Sequence, residues 1–357
     1  MAESVIDLEW ADPVIPLVEN TKWKAEVKKR LGYIPDALIR VSESQWLRET
    51  FLNILLVKVK EFPSHLSDIG GLVISQENAC RFCYGVARAQ MKVFGYSDKM
   101  ITGIEQDMLM SELDQKDRAF ISFCRSLARS NPRPTKAERD NLLDVGFSRL
   151  EVSEIALYIA KYCFTNRVAT FISSPPMYEF ERLSDSLLGR LLRPLIARKL
   201  RLKVWSSDKP IDEYHGPFSD VIKGLDGIPA AVIFREGLEG AFSSNVLSNE
   251  LKIMMFGVVA RSLGCSFCQK TTKKMAMDLG FSEEEFENSL STLASSRINA
   301  QEQKILVWTR ETVQYKTESM QKFLNALAMD VEANVLLEAI GVAALANSIV
   351  RLGVLLE

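Results

Sequence analysis

Two Cys-x-x-Cys pairs are the part of the sequence best suited to chemistry. Cys80 and Cys83 lie in the stretch QENACRFCYGVAR, and Cys265 and Cys268 lie in LGCSFCQKTTKK. The chain of 357 residues contains six cysteines and only two histidines, and both histidines lie outside these stretches. Cysteines three residues apart on a helix share a face, so each pair could close a disulfide with modest backbone adjustment. The spacing therefore favours reversible thiol–disulfide chemistry, with metal binding as an alternative.

Two acids precede the first pair at spacings that could bring them near its sulfurs. Glu77 precedes Cys80 by three residues and Asp68 precedes it by twelve, so both could lie on its face of a helix. Either acid could accept the proton of a thiol, although its charge would oppose formation of the reactive thiolate. Glu77 could instead be a solvated or capping acid, and Asp68 a first-turn helix acid. Ile253 replaces Asp68 in the second copy, so we expect the first pair to be the working one.

The sequence around the first pair is repeated around the second. At an offset of 185 residues the cysteines coincide, and Gly95 coincides with Gly280. After a gap of one residue the correspondence continues as far as Arg167, which lies opposite Arg351. Agreement over about 100 residues with so few gaps indicates a tandem duplication. The predicted divisions are an N-terminal unit at 1–183, a basic and then turn-rich connector at 184–224, and a C-terminal unit at 225–357.

The elements that must position the cysteines are predicted to be helices. Apolar residues recur at helical spacing through both units, and the alternation typical of strands is almost absent. Ser67 and Ser248 precede the segments that lead to the cysteines, and Asn299 precedes a later one, as helix-capping residues do. The apolar C-terminal segment is long enough to cross a membrane, but Glu338 within it favours a buried core helix. The fold class is therefore all-α.

The composition narrows the classes of protein and partner. Apolar residues make up 47% and charged residues 25%, which is typical of a globular protein. The net charge of −2 gives no global field to recruit nucleic acid or an anionic membrane, so we expect neither partner. The first residues carry early acids and no signal-peptide pattern, which predicts a cytoplasmic location. The basic connector could sit on a membrane or nucleic acid, but a solvated connector is the favoured interpretation.

The motifs together resemble one known family. LSDIGGLVISQENACRFC, GYSDKMI and LLDVGFSRLEVSEIALYIAKYCFTNRV resemble the alkylhydroperoxidase D (AhpD)-like superfamily, in particular its peroxidase-related branch. The superfamily includes the carboxymuconolactone decarboxylases. The resemblance covers roughly residues 30–175 and 225–355. It implies two tandem AhpD-like helical bundles related by pseudo-two-fold symmetry, either as an internal pseudo-dimer or in a small homo-oligomer.

The resemblance also implies roles for the thiols. The second cysteine of each pair would attack a peroxide and the first would resolve the product to a disulfide, and Asp68 occupies the position of a family glutamate. The family histidine four residues after the second cysteine is replaced by Ala87 in the first copy and Thr272 in the second. Because a relay histidine is commonly worth about 10²–10⁴ in rate, weak activity is expected.

Three functions remain open from the sequence. The first is a thiol–disulfide oxidoreductase or alkylhydroperoxidase-like antioxidant protein, which takes a peroxide or disulfide substrate and a thiol reductant. This function needs no cofactor beyond redox-active disulfides. The second is a non-enzymatic or redox-sensing helical scaffold. The third is a lyase like the carboxymuconolactone decarboxylases, or a structural zinc site in which the two pairs meet.

Overall fold

The computed structural model describes residues 5–107, 113–129, 134–201, 213–314 and 316–356, and within these ranges it contains helices and no strand. In the N-terminal half the helices are α1 Thr21–Leu31, α2 Asp36–Arg40, α3 Gln45–Leu56, α4 Ser64–Glu77, α5 Arg81–Val93, α6 Asp98–Glu105, α7 Gln115–Arg129, α8 Lys136–Asp144 and α9 Arg149–Phe171. Between the halves they are α10 Tyr178–Asp185, α11 Leu187–Arg201 and α12 Ser219–Lys223. In the C-terminal half they are α13 Val232–Ser243, α14 Asn249–Ser262, α15 Ser266–Asp278, α16 Glu283–Thr292, α17 Ala300–Glu311, α18 Thr317–Leu327 and α19 Ala333–Leu352. Short 3₁₀ helices occupy Val5–Asp7, Pro229–Ala231 and Gly353–Leu356.

The helix starts agree only partly with the predicted caps. The side chain of Ser248 accepts a backbone N–H of the first turn of α14 at 3.2 Å, and Asn299 forms a capping box at the start of α17. The prediction for Ser67 is wrong, because α4 begins earlier, at Ser64, directly after a proline. A proline is tolerated at a helix start because the first N–H groups have no intrahelical partner. Asp68 therefore lies in the second turn of α4.

The two halves are joined by reciprocal contacts between their long helices. Arg167 on α9 donates from Nε to the carbonyl of Thr312 in the other half at 3.2 Å. Arg351 on α19 donates from Nε to the carbonyl of Leu127 at 3.1 Å. These donors and acceptors are equivalent positions of the duplicated sequence, so the interface has the self-complementary character of a two-fold dimer. The prediction of an all-α fold with two tandem units is confirmed.

Helices α9 and α19 pack along each other at the centre of the protein, and α3 packs against α13 beside them. The segment Ala333–Leu356 contains an 18-residue window with a mean hydropathy of 1.9, and 89% of that window is buried in the protein, as expected for a core helix. Both central arginines are fully buried yet hydrogen-bonded to backbone carbonyls, as buried charges must be.

The connector at 184–224 contains a helix in its basic part. Helix α11 covers Leu187–Arg201 and packs against α5 and α10. Residues 202–212, which hold the rest of the basic stretch, lie outside the described residues. The boundaries of the three divisions stay a prediction.

Candidate functional site

A tight turn between α4 and α5 positions the first cysteine pair. Ala79 takes a left-handed conformation with φ of 43°, and the N–H of Cys80 donates to the carbonyl of Ser75 at 3.1 Å to close the end of α4. Cys80 then caps α5, because its sulfur accepts the backbone N–H of Cys83 at 3.3 Å. Both sulfurs therefore lie at the N-terminus of α5, where the helix dipole favours negative charge.

The second pair is built in the same way. Gly264 has a φ of 67°, the N–H of Cys265 donates to the carbonyl of Ala260 at 3.0 Å, and the N–H of Cys268 donates to the sulfur of Cys265 at 3.3 Å. Glycine adopts the left-handed conformation without steric cost, whereas alanine at the equivalent Ala79 does not. The geometry of the turn is thus kept in the first half at a cost in strain.

The first pair lies in a small apolar cluster of its own. Cys80 is fully buried and Cys83 is 7% exposed, and both pack with Ala169 of α9 under the rings of Trp10 and Phe82. Burial raises the pKa of the Cys83 thiol well above its usual range, and the neighbouring Cys80 raises it further. A thiol that stays protonated at neutral pH needs a proton acceptor before it can attack.

Glu77 is bound by two arginines of α7. It forms ion pairs with Arg125 and Arg129 of α7, the first at 2.6 Å between carboxylate and guanidinium, and its side chain is only 4% exposed. Arg125 also pairs with Asp107 at 2.9 Å. Glu77 is therefore neither solvated nor a cap, and its contacts join α4 to α7.

Asp68 lies in a group of three tyrosines, here called the tyrosine–aspartate cluster. The hydroxyl of Tyr96 donates to a carboxylate oxygen of Asp68 at 3.4 Å, and the hydroxyl of Tyr158 donates to the carbonyl of Ser67. The ring of Tyr162 packs against that of Tyr158, with 4.9 Å between the ring centroids. Burial raises the pKa of Tyr162 to about 12, with smaller contributions from the nearby charges of Cys83 and Asp68. Tyr162 thus lies near enough to both Cys83 and Asp68 for their charges to affect its pKa.

Two adjacent glycines on α4 make room for the tyrosines. A methyl group at Gly71 would lie 2.6 Å from the hydroxyl oxygen of Tyr162, and one at Gly70 would lie 2.9 Å from the ring of Tyr158. Real Cβ atoms essentially never show contacts this short. Tyr162 also lies seven residues before Ala169 on α9, and therefore on the helix face that covers the cysteines.

The second half replaces every member of this cluster with an apolar residue. The counterparts of Asp68, Tyr96, Tyr158 and Tyr162 are, in that order, Ile253, Phe281, Val342 and Ala346. Phe256 stands where the first half has Gly71, and Ala346 stands where it has Tyr162. The large aromatic residue is therefore on α9 in the first half and on α14 in the second, and the small residue is on the facing helix. Cys265 and Cys268 are both fully buried in the main hydrophobic core.

The residues at the family histidine positions supply no base. Ala87 has no functional group, and the hydroxyl of Thr272 donates to the carbonyl of Cys268 within its own helix at 3.0 Å. His65 contacts Asp117 on the surface at 3.3 Å. Within the described ranges no three His, Cys, Asp or Glu side chains are grouped to hold a metal ion, and the two cysteine pairs lie in separate clusters.

Part of the wall around the first pair comes from the C-terminal half. The hydroxyl of Thr317 at the start of α18 donates to the carbonyl of Ala79 at 2.9 Å. Gln321 donates to the carbonyl of Thr170 on α9 at 3.1 Å and accepts the N–H of Ala11 at 3.2 Å. The N-terminal arm that carries Trp10 is therefore fixed by the other half.

No family model and no curated protein matches the chain. Solved structures similar to it include the apo debrominase Bmp8, at 16% identity over 48% of this chain and 95% of that chain, with a TM-score of 0.40. An uncharacterized peroxidase-related protein from Silicibacter sp. TM1040 is 21% identical over 51% of this chain and 95% of its own, with a TM-score of 0.40. An AhpD-core, peroxidase-related protein from Ralstonia eutropha JMP134 is 16% identical over 50% of this chain and 99% of its own, with a TM-score of 0.43. These are the kind of protein that the sequence resembles, and at such identities the likeness concerns the fold alone.

Three features of the site go beyond the sequence predictions. They are the tyrosine pair, the cover formed by Trp10, and the wall contributed by α18. The tyrosine pair had a signal, since Tyr158 and Tyr162 are one helical turn apart and face the adjacent glycines Gly70 and Gly71. The cover and the wall had none, because they join segments far apart in the chain.

Proposed function

We propose that the first cysteine pair is a thiol–disulfide redox site that reduces hydroperoxides. The observation that carries the proposal is the asymmetry between the halves. Both halves keep the capped cysteine turn, but only the first surrounds it with ionisable groups, the tyrosine–aspartate cluster. Packing alone would not require a polar set there, since the second half fills the same space with apolar side chains.

Cys83 is the sulfur that meets the substrate, because it is the more exposed of the pair. Its thiolate attacks one oxygen of a hydroperoxide, the O–O bond breaks, and the other oxygen leaves as an alkoxide that takes up a proton to form the alcohol. The resulting sulfenic acid on Cys83 is attacked by the Cys80 thiolate, which forms the disulfide and releases the second oxygen as water.

A thiol reductant returns the pair to its starting state. Its thiolate attacks the Cys83 sulfur, the disulfide breaks, and Cys80 leaves as a thiolate that already accepts the N–H of Cys83. A second thiol of the reductant then resolves the mixed disulfide and is itself oxidised. The N–H of Cys83 therefore stabilises the Cys80 thiolate when the disulfide is reduced.

The tyrosine–aspartate cluster moves the proton that a histidine would otherwise take. The Cys83 thiol gives its proton through solvent to the Asp68 carboxylate, and the hydroxyl of Tyr96 donates to that carboxylate. A carboxylate is a weaker base than imidazole, so this route is slower than one through a histidine. The second pair acts as packing, and no metal or organic cofactor takes part. A cytoplasmic location would supply the reducing conditions that the cycle requires.

Thiol counting tests the proposal. Fully reduced protein is treated with one equivalent of an alkyl hydroperoxide and its remaining thiols are titrated. We expect wild type to lose one pair of thiols and to regain it with a dithiol reductant. Cys83→Ser should lose none, and Cys80→Ser should stop at a sulfenic acid that dimedone traps. The matched control Cys265→Ser with Cys268→Ser should behave as wild type.

A redox-silent scaffold is the second candidate, and the burial of Cys80 favours it. An unchanged thiol count in wild type after both hydrogen peroxide and an alkyl hydroperoxide would contradict the peroxidase proposal and support the scaffold.

A further inference from the structure

Helix α11 presents a row of leucines to solvent. It rests on the protein through the face that carries Gly189 and Ile196, which leaves the opposite face uncovered. The exposed fractions of five leucines on that face range from 37% to 79%: Leu187, Leu188, Leu191, Leu192 and Leu195. They make up five of the thirteen large apolar residues exposed in the described part of the chain. Contiguous exposed apolar surface of this kind marks an interaction site.

The same helix is strongly basic. Its sequence holds five cations and no acid, and Arg190, Arg198 and Lys199 are exposed. Two of these cations, Arg198 and Lys199, form no ion pair with any residue that the structure describes. The nearest acids, Asp98 and Asp185, both pair with Lys92 of α5. Arg190 is the one cation of the helix close enough to Asp98 to lower the pKa of that carboxyl, after the larger effect of Lys92.

We propose that α11 docks the protein on an anionic lipid surface, independently of the redox function. A helix with leucines on its outer face and cations beside them lies in the plane of a membrane interface, where the leucines enter the acyl boundary and the cations meet phosphate groups. The long arginine and lysine side chains can bury their stems while their charges stay at the headgroups.

The charge argues against a second copy as the partner. Pairing two α11 helices face to face would bring two sets of cations together with no acid on either helix to offset them. The net charge of −2 predicts no membrane partner for the whole chain, but the local charge of this helix differs from that average.

Vesicle sedimentation tests the proposal. Full-length protein is mixed with vesicles of phosphatidylcholine alone or of an equal mixture of phosphatidylcholine and phosphatidylglycerol, at low and at high salt. We expect binding to the anionic vesicles only, weakened by salt. Leu191→Glu with Leu195→Glu should weaken binding by a factor of about ten or more for each leucine. The control Met329→Glu alters an equally exposed apolar residue in the turn that follows α18 and should bind as wild type.

Charge reversal separates electrostatic docking from simple stickiness. Arg198→Glu with Lys199→Glu keeps the leucines and should reduce binding to anionic vesicles by at least about tenfold. Circular dichroism checks that each variant is folded. The proposal is overturned if wild type stays in the supernatant with both vesicles, or if the leucine variant still binds. It is also overturned if light scattering shows a wild-type dimer that the leucine variant dissociates and that does not bind lipid.

Discussion

The room that Gly71 leaves for Tyr162 can be tested by adding a single methyl group. In Gly71→Ala the new Cβ would lie 2.6 Å from the hydroxyl oxygen and 3.0 Å from the ring carbon that bears it. Ordinary contact begins near 3.4 Å, so the tyrosine must move by roughly an ångström. Overpacking of this size costs about 1–3 kcal/mol, and the better helix propensity of alanine returns about 1 kcal/mol. We expect a net loss of about 0–2 kcal/mol in the free energy of unfolding.

The double-mutant cycle with Tyr162→Phe isolates the clash. Alone, Tyr162→Phe removes a polar hydroxyl and should cost no more than about 1.5 kcal/mol. Combined with Gly71→Ala it also removes the closer of the two atoms that the methyl would meet, and the ring carbon at 3.0 Å remains. The double variant should therefore be more stable than the sum of the two changes predicts, by about 1 kcal/mol. Urea unfolding followed by circular dichroism measures all four proteins.

The control for this cycle is Gly237→Ala on α13. Its new methyl would lie 3.2 Å from the side chain of Thr50, which has to move by only a few tenths of an ångström, so this change should cost less than Gly71→Ala. Additivity of Gly71→Ala and Tyr162→Phe within about 0.3–0.5 kcal/mol would show that the hydroxyl does not lie against Gly71. That result would remove the geometric basis of the tyrosine–aspartate cluster.

Further changes test the cover, the titrations and the turn. Trp10→Ala should speed alkylation of Cys83 by iodoacetamide, because the ring packs over the pair; a rate equal to wild type in a mass-spectrometric time course would contradict this cover. In wild type that alkylation should keep accelerating above pH 9 without levelling, since burial raises the pKa of Cys83. Burial lowers the pKa of Lys161 from 10.5 to about 8, so the unfolded state binds more protons between these values and stability should rise across that window. Thermal melts of Lys161→Met should lack this rise. Ala79→Gly should stabilise the protein by about 1 kcal/mol, and Gly264→Ala should destabilise it by a similar amount, because only glycine adopts the left-handed conformation without strain. Equal urea midpoints for wild type and both variants would refute the assigned strain.

The sequence predicted the fold class and the repeat because both depend on local patterns. Helical spacing of apolar residues and the matching cysteine turns recur at a fixed offset, and the structure follows them closely. Ser67 failed as a cap because the preceding proline starts α4 one turn earlier. Local capping rules do not decide between two adjacent starts when a proline competes with a serine.

The site was less predictable because its geometry depends on contacts between distant segments. Glu77 has the right spacing to face Cys80, but its carboxylate forms ion pairs with arginines of α7, which the spacing does not predict. Asp68 meets tyrosines from α9, ninety or more positions away in the chain. Sequence spacing predicts which residues share a helix face, but not which neighbouring helix that face meets.

The exchange of arginine contacts between the halves has a consequence for how such a protein can evolve. In an assembly of two separate identical chains, every substitution appears on both sides, so neither active centre can be lost alone. Here Arg167 and Arg351 bind each half to the other within one polypeptide, and the partners are encoded independently. The two halves can therefore differ in their polar groups, as they do at Asp68 and its counterpart Ile253. Separating the gene into its halves should leave neither product able to fold.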